Sequence, residues 1–221
     1  MKVALTGGIA CGKSLLSQFL NELGVETLDA DDVVHELLPD PEERRRIAAE
    51  VFADPEKRRA LEAKMHPLVK ERIDTWLSLS QDGFNAETQR RVTAAQAGLA
   101  ICSEPSRAKR VPREAESPSD LCVKKTGIKI AIIPLLFEAH SEKNFDIICC
   151  VASTRESQIE RMTATRGMTL AEAEARLAAQ MPVEEKAKRS HYVIHNDGTV
   201  DELRAEAQKF VAWLKTSTLQ L

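Results

Sequence analysis

Apolar positions change their spacing several times along the chain, and each change marks an element. Lys2 to Leu5 is a short β-prone run that leads straight into a glycine-rich turn. From Lys13 onward, Leu15, Leu16, Phe19, Leu20 and Leu23 fall on one helical face, and Gly24 supplies a C-terminal stop. Val25 to Leu28 reads as a second strand ending in Asp29-Ala30-Asp31-Asp32, where a helix starts with Val33, Val34, Leu37 and Leu38 as its apolar side. Helices are predicted over 41–52 and 55–78, the second opened by Pro55 at its first position. The unbroken apolar runs Ile128 to Ile133 and Ile147 to Val151 suit strands covered on both faces. Helical spacing returns near 155–165, 169–180, 183–189 and 199–215, with a short strand, Tyr192 to Ile194, before the last. Strands separated by helices need crossover connections. The expected fold is therefore α/β, a parallel, doubly wound sheet of five strands.

The stretch 80–127 breaks this pattern. Within 103–120, three of the nine prolines and four serines sit among mixed charges. Such a composition buries too little apolar area to offset the entropy of ordering, so a mobile loop is expected there, with a helix near 86–101 ahead of it.

Over 221 residues, 31 Lys+Arg face 34 Asp+Glu, a net charge of −3. That balance argues against a nucleic-acid binder, which needs a broad cationic field. It leaves room for a local phosphate site, because backbone N–H groups can supply the positive potential. No apolar run approaches the roughly 18–20 residues that span a bilayer. Val3-Ala4-Leu5 is too short for a signal-peptide core of about 7–15 residues. The five cysteines, Cys11, Cys102, Cys122, Cys149 and Cys150, show no CxxC spacing. Cys149 and Cys150 lie in an apolar run and read as buried thiols, and a reducing cytoplasm is the expected setting.

The chemistry is carried by Gly7-Gly8-Ile9-Ala10-Cys11-Gly12-Lys13-Ser14. It fits GxxxxGK[ST], follows a strand and opens an amphipathic helix, as a phosphate-binding loop must. Its glycines let the backbone curl so that successive N–H groups point at one anion, and the helix start adds roughly half a positive charge. Lys13 is expected to reach the β- and γ-phosphates and the Ser14 hydroxyl to ligate Mg²⁺. A nucleoside triphosphate site follows.

Such a loop does not name the acceptor. In a doubly wound sheet, ligands bind beyond the carboxyl ends of the strands. The second strand ends one crossover from the loop, so Asp29 or Asp31 can lie beside the γ-phosphate. Alternation along the strand puts Asp29 and Asp31 on one face and leaves Asp32 to cap the next helix. A carboxylate in that place can take the proton of an attacking hydroxyl, a second helix cap being the plainer alternative. Arg161 and Arg166 flank a helix end followed by Gly167-Met168-Thr169 and a new helix. This arrangement can close as a lid, its guanidinium groups stabilising charge on the transferring phosphoryl. At a separation of five residues the two arginines do not share a face of a continuous helix.

Read together, these blocks resemble the dephospho-coenzyme A kinase family. The resemblance runs through Leu5-Thr6-Gly7-Gly8-Ile9, Gly12-Lys13-Ser14 and Asp29-Ala30-Asp31. It continues through Val51-Phe52-Ala53-Asp54-Pro55, Leu61-Glu62, His66-Pro67 and Pro134-Leu135-Leu136-Phe137-Glu138. It closes with the Arg161/Arg166 region, Gln180, Glu185-Lys186 and Val193-Ile194-His195-Asn196-Asp197-Gly198. The blocks occur in order and cover most of the chain outside 80–127.

The resemblance implies a three-layer P-loop kinase fold over 1–221: a five-stranded parallel sheet, a helical acceptor-binding subdomain at 32–80 and a lid at 155–182. It implies transfer of the ATP γ-phosphate, with Mg²⁺, to the 3′-hydroxyl of dephospho-coenzyme A; separately, the expected state is a cytoplasmic monomer that binds neither nucleic acid nor membrane. Asp31 takes the general-base position on the acceptor. Gly8, Ile9, Ala10, Cys11, Gly12, Lys13, Ser14 and Leu15 form the ATP loop, and Arg161 or Arg166 takes the lid role. Asn196 falls where the family's fifth strand leads to the adenine pocket. His66 belongs to the subdomain that holds the acceptor, where a structural role in its helix is an equal alternative.

Some positions depart from the family pattern. Ala10-Cys11 stands where Gly-Ser is usual, and Leu15 where a second hydroxyl residue often follows; the backbone donors survive both, and Cys11 is expected to add thiol sensitivity. The chain is shorter than the pattern between Leu38 and Arg44 and longer over 80–127, both on the acceptor side. The main alternative is another P-loop kinase acting on a nucleoside or small metabolite. A guanine-nucleotide switch would need an Asn-Lys-x-Asp reader, which the chain lacks.

Overall fold

Among the described residues, each apolar run forms the element its spacing predicts. The computed structural model describes residues 1–79 and 126–218. The helix expected near 86–101 and the irregular stretch 103–120 lie outside the described residues. In chain order the elements are β1 (Val3–Gly7), α1 (Lys13–Glu22), β2 (Glu26–Asp29), α2 (Ala30–Leu37), α3 (Pro41–Ala53) and α4 (Pro55–Ser78). There follow β3 (Lys129–Ile132), β4 (Ile147–Ala152), α5 (Arg155–Arg166), α6 (Leu170–Ala178), α7 (Val183–Lys188), β5 (Tyr192–His195) and α8 (Val200–Thr218). All belong to one unit, Met1–Ser78 with Lys124–Leu221.

Local chemistry sets the helix starts. Asp40 accepts from the Glu42 N–H ahead of α3, and Asp54 accepts from the Glu56 N–H at the start of α4. The prolines that follow these caps, Pro41 and Pro55, occupy a position where a missing N–H costs nothing. Pro67, by contrast, lies inside α4 and removes one bond from its ladder.

The five strands are parallel, in the order β2-β3-β1-β4-β5. One rank of the sheet runs Asp29, Ile132, Leu5, Cys149, Tyr192. On one face, Val3 and Leu5 join Leu16 and Leu20 of α1 and Leu203, Phe210 and Leu214 of α8 in the main core. On the other, Ala4 and Ile148 meet Leu136 and Phe137, while Ala131 meets Val33 of α2 and Ile73 of α4. Three layers result, helices covering both faces of the sheet.

The strand order places β3 between β2 and β1. Two strand spacings, roughly 9–10 Å, separate β2 from β1. The reason is visible in the residues: Ile130, Ala131 and Ile132 are buried, whereas every residue of Glu26-Thr27-Leu28-Asp29 is only half-buried. A central position is dry on both faces, and the more apolar run takes it.

Candidate nucleotide and acceptor site

The loop from Gly7 to Ser14 joins the buried strand β1 to α1 at the carboxyl edge of the sheet. Gly12 precedes α1 in the left-handed region at φ 89°, and no side chain caps the helix. The first-turn N–H groups of α1 therefore stay available to an anion, as helix starts do. Lys13 folds back over the loop, its Nζ donating to the carbonyls of Gly8 at 2.8 Å and Gly7 at 3.0 Å. Burial pushes the Lys13 pKa below its ordinary value, against the opposing pull of the Asp29 carboxylate among others. Ser14 is exposed and Leu15 half-buried on the first turn.

Side chains from distant parts of the chain hold this loop. Gln158 of α5 donates to the Ile9 carbonyl at 2.7 Å, and the Ile9 N–H donates to Gln180 Oε1 at 3.2 Å. Arg161 donates to the Ala10 carbonyl, to Ser153 Oγ and to the Asn196 carbonyl, at 3.2, 3.0 and 2.6 Å. Asn196, just past β5, is buried and donates from Nδ2 to the Cys11 carbonyl at 2.9 Å. Its side chain is thus engaged on the loop itself. Asp197 accepts from the Thr154 N–H at 2.7 Å and so ties the β5 end to the start of α5. Arg166, in the last turn of α5, is exposed and makes no ion pair among the described residues.

The acidic run after β2 is arranged differently from the expectation. Asp29, not Asp32, caps α2, its Oδ1 accepting from the Asp31 N–H at 2.9 Å. Asp31 and Asp32 lie in the first turn of the helix, so strand alternation does not govern them. The cause is that β2 ends at Asp29, two residues short of Asp31, and the helix begins at Ala30. Burial pushes the Asp29 carboxyl up, partly offset by that hydrogen bond and by the Lys13 charge. Asp31 itself is exposed and lines a cleft of about 460 Å³. His66 and Lys70 of α4 line the same cleft, as do Pro134 and Leu135 after β3. The Pro134 carbonyl accepts from Thr6 Oγ1 of β1 at 3.3 Å, so the cleft borders the strand that leads into the loop. Asp31 and His66, 35 positions apart in the chain, thus meet in one cavity.

Cys11 corrects another expectation. It is fully buried in the main core, and burial pushes its thiol pKa up. A thiol in that state is a poor nucleophile, so exposure-driven sensitivity does not apply. Cys149 and Cys150 are buried free thiols, as expected.

Three contributors carried no role in the sequence reading: Gln158, Gln180 and Lys186. Gln158 sits three residues before Arg161, on the same helix face. A polar residue at an inward position beside Arg161 is the signal available for it. Lys186 is wholly enclosed and pairs with Glu138, which no local spacing announces.

Comparison with known proteins extends the geometry. A family model described as "CoaE: Dephospho-CoA kinase" matches residues 1–43 and 115–202. A dephospho-CoA kinase of Synechococcus sp. (strain JA-3-3Ab) is 33% identical, over 94% of this chain and 90% of its own. One from Geobacter sulfurreducens is 32% identical, over 96% of this chain and 97% of its own. Among solved structures, TT1252 from Thermus thermophilus superposes with a TM-score of 0.61 at 26% identity, covering 97% of each chain. A dephospho-CoA kinase from Campylobacter jejuni gives 0.58 at 21% identity over 99% of this chain and all of its own, a likeness of fold.

Proposed function

The chain belongs to the dephospho-CoA kinase family, and on that premise we propose how its residues move the γ-phosphoryl of ATP to the 3′-hydroxyl of dephospho-coenzyme A. The observation that carries the reading is the cleft shared by Asp31 and His66, with Asp29, two residues earlier, within electrostatic reach of Lys13. On this reading the ribose hydroxyl enters the cleft at Asp31, and the charge felt between Asp29 and Lys13 supports a phosphate loop near that end of the cleft.

Residues 8–15 receive the triphosphate through backbone N–H groups, and Lys13 leaves its two loop carbonyls for the phosphate oxygens. Asp31 accepts the proton of the attacking hydroxyl and orients it in line with the γ-phosphoryl. His66 contributes to holding the acceptor from α4. Arg166 is the better lid arginine of the two, because it is exposed and unpaired among the described residues, while Arg161 is committed to three acceptors around the loop. Asn196 supports ATP binding by fixing the loop rather than by touching the base.

Mg²⁺ takes oxygen donors, largely from phosphates and water with one or two protein groups. The exposed Ser14 hydroxyl on the first turn of α1 fits that donor type. The ion would neutralise charge on the triphosphate oxygens.

On this reading the kinase domain spans 1–221, with 32–80 as the acceptor-binding subdomain, 80–127 as an insert on the acceptor side and 155–182 as the lid. No helix among the described residues is long and apolar enough to cross a membrane. Three unpaired buried thiols suit a cytoplasmic setting. Among the described residues, the exposed large apolar ones, Met1, Leu135, Leu170 and Val200, fall in separate segments, which suits a monomer that does not bind a membrane, and the net charge of −3 speaks against a nucleic-acid partner.

The test is incubation with ATP, Mg²⁺ and dephospho-coenzyme A, with adenosine and nucleoside monophosphates as competing acceptors. Phosphate should appear on the 3′-hydroxyl of dephospho-coenzyme A. Preferential phosphorylation of a competitor would favour another P-loop kinase activity.

A further inference from the structure

Five successive carbonyls of the phosphate loop are held by side-chain donors. Lys13 takes Gly7 and Gly8, Gln158 takes Ile9, Arg161 takes Ala10 and Asn196 takes Cys11. A trans peptide is planar, with its C=O and the following N–H on opposite edges. Holding a carbonyl outward therefore turns the next N–H inward. Gln158 sets the Ala10 N–H in this way, and Asn196 sets the Gly12 N–H.

Two glycines give these amides access. A Cβ on Gly8 would collide with Gln158 Nε2, and one on Gly12 would collide with Asn196 Nδ2. The glycines of the motif thus serve close approach by two side chains as well as curvature of the loop. Both amides are buried, at 3% and 7% exposure, so water does not compete for them. Gln158 Nε2 also lies 3.2 Å from Cys11 Sγ, a weaker acceptor that keeps the amide nitrogen turned toward the loop.

Lys13 differs from the other three in one respect. It must release its carbonyls to meet phosphate, whereas Gln158, Arg161 and Asn196 can keep theirs throughout. The lasting direction of the Ala10 peptide then depends on Gln158.

We propose that Gln158 is a positioning residue of the nucleotide loop, acting beside Asn196 to aim the N–H groups that receive the triphosphate. It rests on the reading of residues 8–15 as the ATP site. Nucleotide affinity depends on Gln158 and acceptor affinity does not, since Gln158 lies on α5, away from the cleft lined by Asp31 and His66.

Gln158→Met keeps the length and burial of the side chain and removes its donor. Titration with ATP by calorimetry should give a dissociation constant roughly tenfold higher than the unaltered chain, in line with a buried carbonyl left unpaired. The KM for dephospho-coenzyme A should stay within about twofold in the same kinetic series, at saturating ATP. Unchanged ATP affinity would overturn the inference, and so would an equal loss for both ligands, which is what general loosening of the fold produces.

A second measurement needs no variant. In the unaltered chain, the Ala10 and Gly12 amide proton resonances should move strongly on addition of ATP, and resonances that stay put would overturn the inference even if Gln158→Met fails to fold. Absence of ATP binding by the unaltered chain would instead sink the reading of the loop itself.

Discussion

Glu138 Oε1 lies 2.7 Å from Lys186 Nζ, and the lysine side chain is wholly enclosed. Lys186 Nζ also donates to the Pro134 carbonyl at 2.9 Å, and the Glu138 carboxylate accepts from the Met181 N–H at 3.1 Å. The pair therefore ties the turn after β3, which lines the cleft of Asp31 and His66, to the segment between α6 and α7. Removing one partner strands the other charge in a dry site. Glu138→Gln should lower stability by about 3 kcal/mol, read as a shift of the urea midpoint. An unmoved midpoint would mean that the pair contributes nothing to the fold.

The same pair predicts part of the acid response. Burial alone would raise the Glu138 pKa, but the hydrogen bond and charge of Lys186 outweigh it and hold the carboxyl below its ordinary value of 4.5. A depressed folded-state pKa means stability that is fully present above the ordinary value and lost as pH falls through the lower one. Glu138→Gln should remove that component from an acid-unfolding curve while leaving the rest.

Asp31→Asn separates base chemistry from binding. Asp31 is exposed in the cleft, and its side chain holds no other element together among the described residues. ATP affinity and melting temperature should stay nearly unchanged while turnover falls roughly 10²–10⁴-fold. Undiminished turnover would exclude Asp31 as the base.

The two arginines should fail in different ways. Arg161→Ala removes donors from the Ala10 carbonyl, Ser153 Oγ and the Asn196 carbonyl. It should cost about 2 kcal/mol of stability and weaken ATP binding. Arg166→Ala, at an exposed position, should leave the melting temperature alone and lower kcat by roughly 10²-fold. A full kcat in Arg166→Ala would move the lid role elsewhere.

Thiol chemistry offers a check on burial. Burial raises the Cys11 and Cys149 pKa values, and Cys150 is pushed up to about 12. In a Cys102→Ser, Cys122→Ser background, these three thiols should resist Ellman's reagent in the native state and react on unfolding. Rapid native labelling of Cys11 would contradict its enclosure in the core.

The legible features were those encoded over a few residues. The five strands, the helices from α1 to α8 and the phosphate loop each depend on spacing of apolar residues or on a contiguous motif, so periodicity finds them. Cap identity was harder, because Asp29, Asp31 and Asp32 all suit a helix start, and which one caps follows from where β2 stops pairing with β3.

By itself the chain's order of residues determined the elements, the anion-binding loop and the family pattern of acid and cation blocks, since these arise within single turns and strands. Only the tertiary structure decided that β3 separates β2 from β1, that Asp31 and His66 share one cleft, and that Gln158, Arg161 and Asn196 grip one loop. Those contacts span 149, 151 and 185 positions along the chain for the last three. They exist because parallel strands align their carboxyl ends on one edge, and that alignment, rather than any local spacing, brings the ends of β1, β4 and β5 within reach of one another.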